Sequence, residues 1–239
     1  LERAWEFGNS QEAAYAIAYL LELYVRTDAH EAAVALWEET EDSLPSGDGF
    51  QSMRVRFAAD AAYSADRLEL ATDLYRRLTN FSLADAHWAF ARLYRIAQAQ
   101  EESDRALEVF REAERRLGSE PERLADFWLD LGIDSFRREQ FELSIVYLQR
   151  LWDIRDERAI QPSTAALLAG ALDGAGRTDQ AVSVLETALE ELVDPDNVIR
   201  TSLAELYQSL GDYESARAVL EAVDRPFPED ERYRYLLAL

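Results

Sequence analysis

The stretch LYQSLGDYESARAVLEAV, residues 206–223, is helix-forming on both sides of a glycine–aspartate pair. Tyr207, Gly211, Tyr213, Ala216, Leu220 and Val223 predict one helix ending near Leu210, a tight turn at Gly211-Asp212, and a second helix with apolar residues three and four apart. Glycine permits the turn. The small side chain of Ala216 lets the second helix approach the first, and Leu220 and Val223 fill the space beyond it. The segment is a helical hairpin.

The same unit recurs along the chain. In FWLDLGIDSFRREQFELSIVYLQRL, residues 127–151, Trp128, Leu131 and Gly132 fall on the first helix, Phe141 follows the turn, and Ser144, Leu148 and Leu151 lie on the second. Residues 167–189 repeat it with Leu168, Ala169, Leu172, Gly176, Ala181, Leu185 and Ala188. Upstream copies carry Ala59, Leu68, Ala71, Tyr75 and Leu78, then Phe90, Ala91, Tyr94, Ala106, Phe110 and Ala113. The first full copy carries Leu20, Leu21, Tyr24, Ala33, Trp37 and a closing Pro45.

This pattern resembles the tetratricopeptide repeat, whose signature is Trp-x2-Leu-Gly-x2-Tyr, then Ala-x3-Phe, then Pro. Trp128, Leu131 and Gly132 reproduce its opening, and Pro45 and Pro228 fall at its closing proline. The resemblance implies an all-α fold, a right-handed α-solenoid of antiparallel helix pairs. With Leu21, Ala59, Ala91, Gly132, Ala169, Ala204 and Ala238 as a ruler, residues 1–239 form a single array of six repeats and the start of a seventh. Leu21 is large where the signature is small, and Ser135 replaces its tyrosine. The third unit is expected to hold about three extra residues in its turn, QAQEESD. The 41 residues from Ala91 to Gly132 leave a longer link through Gly118 and Pro121, which places a junction between two sub-arrays near residues 116–124.

Residues 1–7, LERAWEF, followed by Gly8-Asn9-Ser10, read as the end of a preceding helix with a glycine stop and a serine cap. Residues 233–239 start a new first helix whose apolar face lacks a partner, a route to self-association. Both ends favour reading the chain as an excerpt or a processed form.

Acidic residues outnumber basic ones 47 to 25, for a net charge of −22, and every basic residue is arginine. Such a surface repels phosphate backbones, so nucleic acid is not an expected partner. A GC-rich genome or a saline habitat accounts for the bias. There is no cysteine, hence no disulfide or thiolate site, and the longest apolar run, residues 13–21, is roughly half a membrane span. The resemblance admits bacterial cytoplasm or cell envelope, and the absence of cysteine tilts the expectation toward the envelope or periplasm.

Catalytic vocabulary is missing: there is no phosphate loop, nucleophile elbow or His-Glu-x-x-His pair. No enzyme activity, cofactor or metal is expected. His30 is a turn residue and His87 a packing residue beside Trp88. DPDN, residues 194–197, lacks the glycine and terminal glutamate of a calcium loop and reads as a helix cap.

The resemblance implies that the first helix of each repeat lines a concave groove that holds peptides. Among residues placed on that face are Arg26, Arg56, Tyr63, Trp88, Arg92, Arg95, Phe136 and Arg137. Five arginines against the sign of the chain, interleaved with aromatics, suit a protein or peptide partner bearing acidic or carboxylate groups. The competing reading has these arginines paired with Asp60 and Asp85. The lysines and asparagines with which one subtype clamps a terminal carboxylate are absent from this face. The expected function is a non-catalytic protein-interaction scaffold. The alternative is the interaction or regulatory domain of a larger multidomain enzyme or signalling protein.

Overall fold

The structure, a computed structural model, describes residues 10–43, 50–81, 83–155, 160–194 and 197–221. The helix end at residues 1–7, Pro45, Pro228, Ala238, the helix at 233–239 and the middle of DPDN lie outside them.

The described residues form twelve α-helices, a 3-10 turn at Glu41–Ser43 and no strand. The chain divides into two compact units, Leu1–Phe127 and Trp128–Leu239. The first holds α1 (Ser10–Arg26), α2 (His30–Thr40), α3 (Gln51–Ser64), α4 (Leu68–Phe81), α5 (Leu83–Ala99) and α6 (Ser103–Leu117), with the start of α7 (Pro121–Arg137). The second holds the rest of α7, then α8 (Phe141–Asp153), α9 (Pro162–Gly174), α10 (Thr178–Glu191), α11 (Val198–Ser209) and α12 (Tyr213–Glu221). No helix of the described residues is long and apolar enough to cross a membrane.

One turn is used six times. Asp28, Asp66, Glu101, Glu139, Gly176 and Gly211 have φ between 56° and 77°, and each follows the first helix of a hairpin. The next amide donates back across the helix end: Ala29 to the Tyr24 carbonyl, Arg67 to Ala62, Glu102 to Ala97, Gln140 to Ser135, Arg177 to Leu172 and Asp212 to Tyr207, all at 2.8 or 2.9 Å. This closure satisfies carbonyls that the helix leaves orphaned and reverses the chain. At Gly211 the glycine of the opening stretch supplies the left-handed residue. Asp212 then accepts the Ser215 amide at 3.0 Å and starts the second helix.

Five residues after each left-handed position stands a small residue, namely Ala33, Ala71, Ala106, Ser144, Ala181 or Ala216. Four further on stands a large one, Trp37, Tyr75, Phe110, Leu148, Leu185 or Leu220, and all twelve are buried. The small residue sets the helix separation, and each large apolar side chain contributes roughly 1.5–3 kcal/mol on burial. In the last hairpin Ala204, Ala216 and Leu220 form one such cluster, with Tyr207 packed against it. In α7 a Cβ on Gly132 would lie 2.6 Å from Leu148 Cδ2, and Ser144 Oγ donates to the Gly132 carbonyl at 2.8 Å. These two helices touch backbone to side chain.

The third turn carries no insertion, contrary to the expectation from QAQEESD. α5 runs on to Ala99 and closes with the same bonds as the others, so the three residues belong to the helix. The residue seven before the left-handed Glu101 is Tyr94, not Ala91. Alanine is frequent on α5 and gave a false match one turn early. Between equivalent turn residues the intervals are 38, 35, 38, 37 and 35, and the 41-residue gap disappears.

Candidate functional site

The six candidate residues of the N-terminal unit separate by position. Arg26 ends α1, its side chain 75% exposed and 3.4 Å from Glu22. Arg95 is half-buried one turn beyond Arg92 on α5. The other four come together through their side chains, Arg56 and Tyr63 from α3 and Trp88 and Arg92 from α5. The Arg56 guanidinium lies 4.9 Å from the Trp88 ring centre. Arg92 lies 5.3 Å from both Trp88 and Tyr63. Contacts of this kind contribute about 0.5–2 kcal/mol each, the more so when desolvated.

Beneath this layer, Tyr75 of α4 meets Trp88 edge-on, with ring centres 5.4 Å apart, and its hydroxyl donates to Asp60 Oδ1 at 3.1 Å. Burial pushes the Asp60 carboxyl above the usual carboxylate range, while Arg92, the Tyr75 hydrogen bond, Arg56 and His30 pull the other way. Burial and the Asp60 charge likewise raise the Tyr75 hydroxyl. Asp60 acts on the two guanidiniums through its field. Among the described residues neither Arg56 nor Arg92 has a carboxylate oxygen within 4 Å. Asp85, the other expected counter-ion, accepts the Ser52 hydroxyl at 2.5 Å.

Three other arginines held over rings differ. Arg77 over Trp37 is also paired with Glu41, Arg116 over Phe90 with Glu112, and Arg155 over Trp152 with Glu191. Those are closed structural contacts. Arg56 is exposed, and Arg92 is half-buried with its Nε buried and without a hydrogen-bond partner among the described residues.

Phe136 and Arg137 belong to the C-terminal unit. The Phe136 ring packs on Phe141, with centres 5.7 Å apart, and a Cβ on Gly170 would meet it at 3.3 Å. Arg137 is exposed. Sequence reading assigned Tyr75 only to the core, and its second role, carrying Asp60 and Trp88, had no signal in the repeat spacing.

His30 opens α2 with Nε2 3.6 Å from Asp28 Oδ1. Asp194 caps α11, its Oδ2 accepting the amides of Ile199 and Arg200 at 3.1 and 3.2 Å, as the cap reading expects. No group of three or more His, Asp or Glu among the described residues is placed to hold a metal ion.

Comparison with known proteins places the fold. A sequence profile of the tetratricopeptide repeat matches residues 174–239. The C-terminal part of a repeat-containing protein from Cytophaga hutchinsonii is similar in structure at a TM-score of 0.54 and 15% identity, over 92% of this chain and 79% of that one. The pilF protein of Pseudomonas aeruginosa gives 0.52 and 18%, over 96% and 98%. Yeast Tom70 gives 0.52 and 12%, over 89% and 50%. No curated protein sequence matches. At these identities the likeness is one of fold.

Proposed function

We infer that this chain, a helical repeat array of the tetratricopeptide type, is a non-catalytic scaffold that holds a segment of another protein, with the face shared by α3 and α5 as its contact in the N-terminal unit. Folds of this type generally mediate protein–protein interaction. One observation supports the residue assignment: in a chain with 47 acids against 25 arginines, Arg56 and Arg92 stack on Trp88 and Tyr63 with no carboxylate within 4 Å among the described residues. A guanidinium held over a ring has less side-chain freedom to lose on pairing, which suits a carboxylate of the partner. Trp88 and Tyr63 offer apolar and edge contacts beside it, the residue types that dominate interface energies.

The test is capture from a native extract by the wild-type chain and by Arg56→Ala/Arg92→Ala, with circular dichroism to show that both are folded. A partner retained by the wild type and lost by the folded variant supports this surface. Equal retention by both moves the contact elsewhere on the array.

A further inference from the structure

α1 has two apolar sides. One is inside the first hairpin, where Ala14, Ile17, Leu20 and Leu21 are buried. The other is bare: Tyr15, Tyr19 and Leu23, each four residues from the next, are 47%, 42% and 47% exposed. The Tyr15 and Tyr19 rings lie against each other with centres 4.5 Å apart, and Phe50 meets Tyr15 edge-on at 5.1 Å. The remaining exposed large apolar residues of the described chain are scattered, whereas these three form a continuous stripe on one helix.

The array itself shows what such a position ordinarily contacts. Leu23 stands five residues before a left-handed turn residue; of its five equivalents Ala61, Ile96, Ala171 and Leu206 are between 0% and 8% exposed, and the fifth, Asp134, is polar and half-buried. α3 packs on the hairpin before it, as do α5, α9 and α11. On α1 the position is exposed instead.

The charges bordering the stripe indicate the occupant. Glu12 stands three residues before Tyr15, and Arg26 three residues after Leu23, both exposed. The sequence is therefore complementary to itself when reversed. Laid antiparallel on a second α1, Tyr19 meets its own counterpart, Tyr15 meets Leu23, and Glu12 meets Arg26 at both ends. A parallel arrangement sets Glu12 on Glu12 and Arg26 on Arg26 and is repelled at both ends. We propose that two copies of this chain associate through Tyr15, Tyr19 and Leu23, their α1 helices antiparallel about a two-fold axis at Tyr19. The contact is isologous and closes at two copies, so it yields a dimer and no filament.

Sedimentation velocity of the 239-residue chain, over roughly 1–200 μM protein at about 0.15 M salt to screen the net negative charge, tests this. The expected result is a concentration-dependent dimer that Tyr19→Glu returns to monomer at unchanged helicity, because two carboxylates then face each other at the axis. Glu12→Arg weakens the dimer by about tenfold or more, and adding Arg26→Glu to it restores the affinity. This charge-swap pair gives an answer even if the Tyr19 variant folds poorly. A monomer at every concentration, a dimer indifferent to Tyr19→Glu, or a charge swap without rescue overturns the proposal.

Discussion

The Tyr75 hydroxyl donates a hydrogen bond to Asp60 Oδ1 at 3.1 Å, and the same tyrosine supports Trp88 edge-on. A buried side chain of the repeat core therefore holds the charged layer above it. Tyr75→Phe keeps the ring and removes the donor, leaving a mostly buried carboxylate less satisfied. The expected loss in stability is about 1–2 kcal/mol by urea denaturation, with helicity unchanged. Partner capture through Arg56 and Arg92 should weaken with it, and an unchanged denaturation midpoint would show that the hydrogen bond contributes nothing.

Asp60 makes a prediction of its own about pH. Its folded-state pKa lies above the ordinary carboxylate value, because burial outweighs Arg92, Tyr75, Arg56 and His30. Between the unfolded value near 4 and the raised folded value, the native state binds more protons than the unfolded one. This residue's contribution therefore favours folding below about pH 4 and is lost as pH rises through the folded pKa. Asp60→Asn retains an acceptor for Tyr75 and removes the titration. Its stability relative to the wild type should rise across that window and level off above it, and a flat difference would refute the assignment to Asp60.

The turns give a third prediction. Gly176 and Gly211 occupy the left-handed position freely, while Asp66 and Glu139 occupy the same position at φ 58° with side chains that disfavour it. Asp66→Gly and Glu139→Gly should each stabilise the fold by about 0.5–1 kcal/mol, measured as a shift in thermal or urea midpoint. Gly211→Ala should cost a similar amount. A Cβ there has no neighbour within 4 Å, so the penalty would come from backbone conformation alone. Destabilisation by both glycine substitutions would mean that the acidic side chains have contacts worth more than the strain.

Much of this fold is legible because the hairpin repeats its chemistry: an alanine or serine five residues past the turn and a large apolar residue four further on. The turn itself is less legible. Four of six left-handed positions are Asp or Glu, so a search for glycine finds Gly176 and Gly211 and passes over Asp28, Asp66, Glu101 and Glu139. The slip on α5 has the same origin, since a ruler of small residues lands on Ala91 where only the turn reveals Tyr94. At the candidate site, a shared face for Arg56, Tyr63, Trp88 and Arg92 followed, as an expectation, from the family resemblance. Which arginine pairs with which acid did not, because a pairing depends on contacts between helices that a single-helix period does not encode.

Close approach at Gly132 gives a fourth prediction. On an exposed helix, Gly→Ala gains up to about 1 kcal/mol in propensity. Here the new methyl would lie 2.6 Å from Leu148 Cδ2 and 2.7 Å from its Cγ, inside the hairpin. Overpacking of that degree costs about 1–3 kcal/mol and should outweigh the gain. Gly132→Ala is thus expected to be less stable than wild type, and Gly132→Ala with Leu148→Ala to lose less than the two single losses added together. Strict additivity would show that the two side chains do not collide.

Two aspartates cap second-unit helices in different settings, which allows a comparison. Asp194 has a side chain only 1% exposed, accepts two amides of α11 and lies 3.7 Å from the Arg200 guanidinium. Asp212 is exposed and accepts one, the Ser215 amide, which holds its pKa below the ordinary value. Asp194→Ala leaves two donors and a partly buried arginine without their acceptor, and about 1–2 kcal/mol of stability should go with it. Asp212→Ala should cost less, because water replaces the lost acceptor. The Asp212 contribution is present above the unfolded carboxylate pKa and disappears as pH falls through the lower folded one, so its effect should vanish in strong acid. Equal losses from the two substitutions at neutral pH would mean that burial adds nothing to a helix cap in this array.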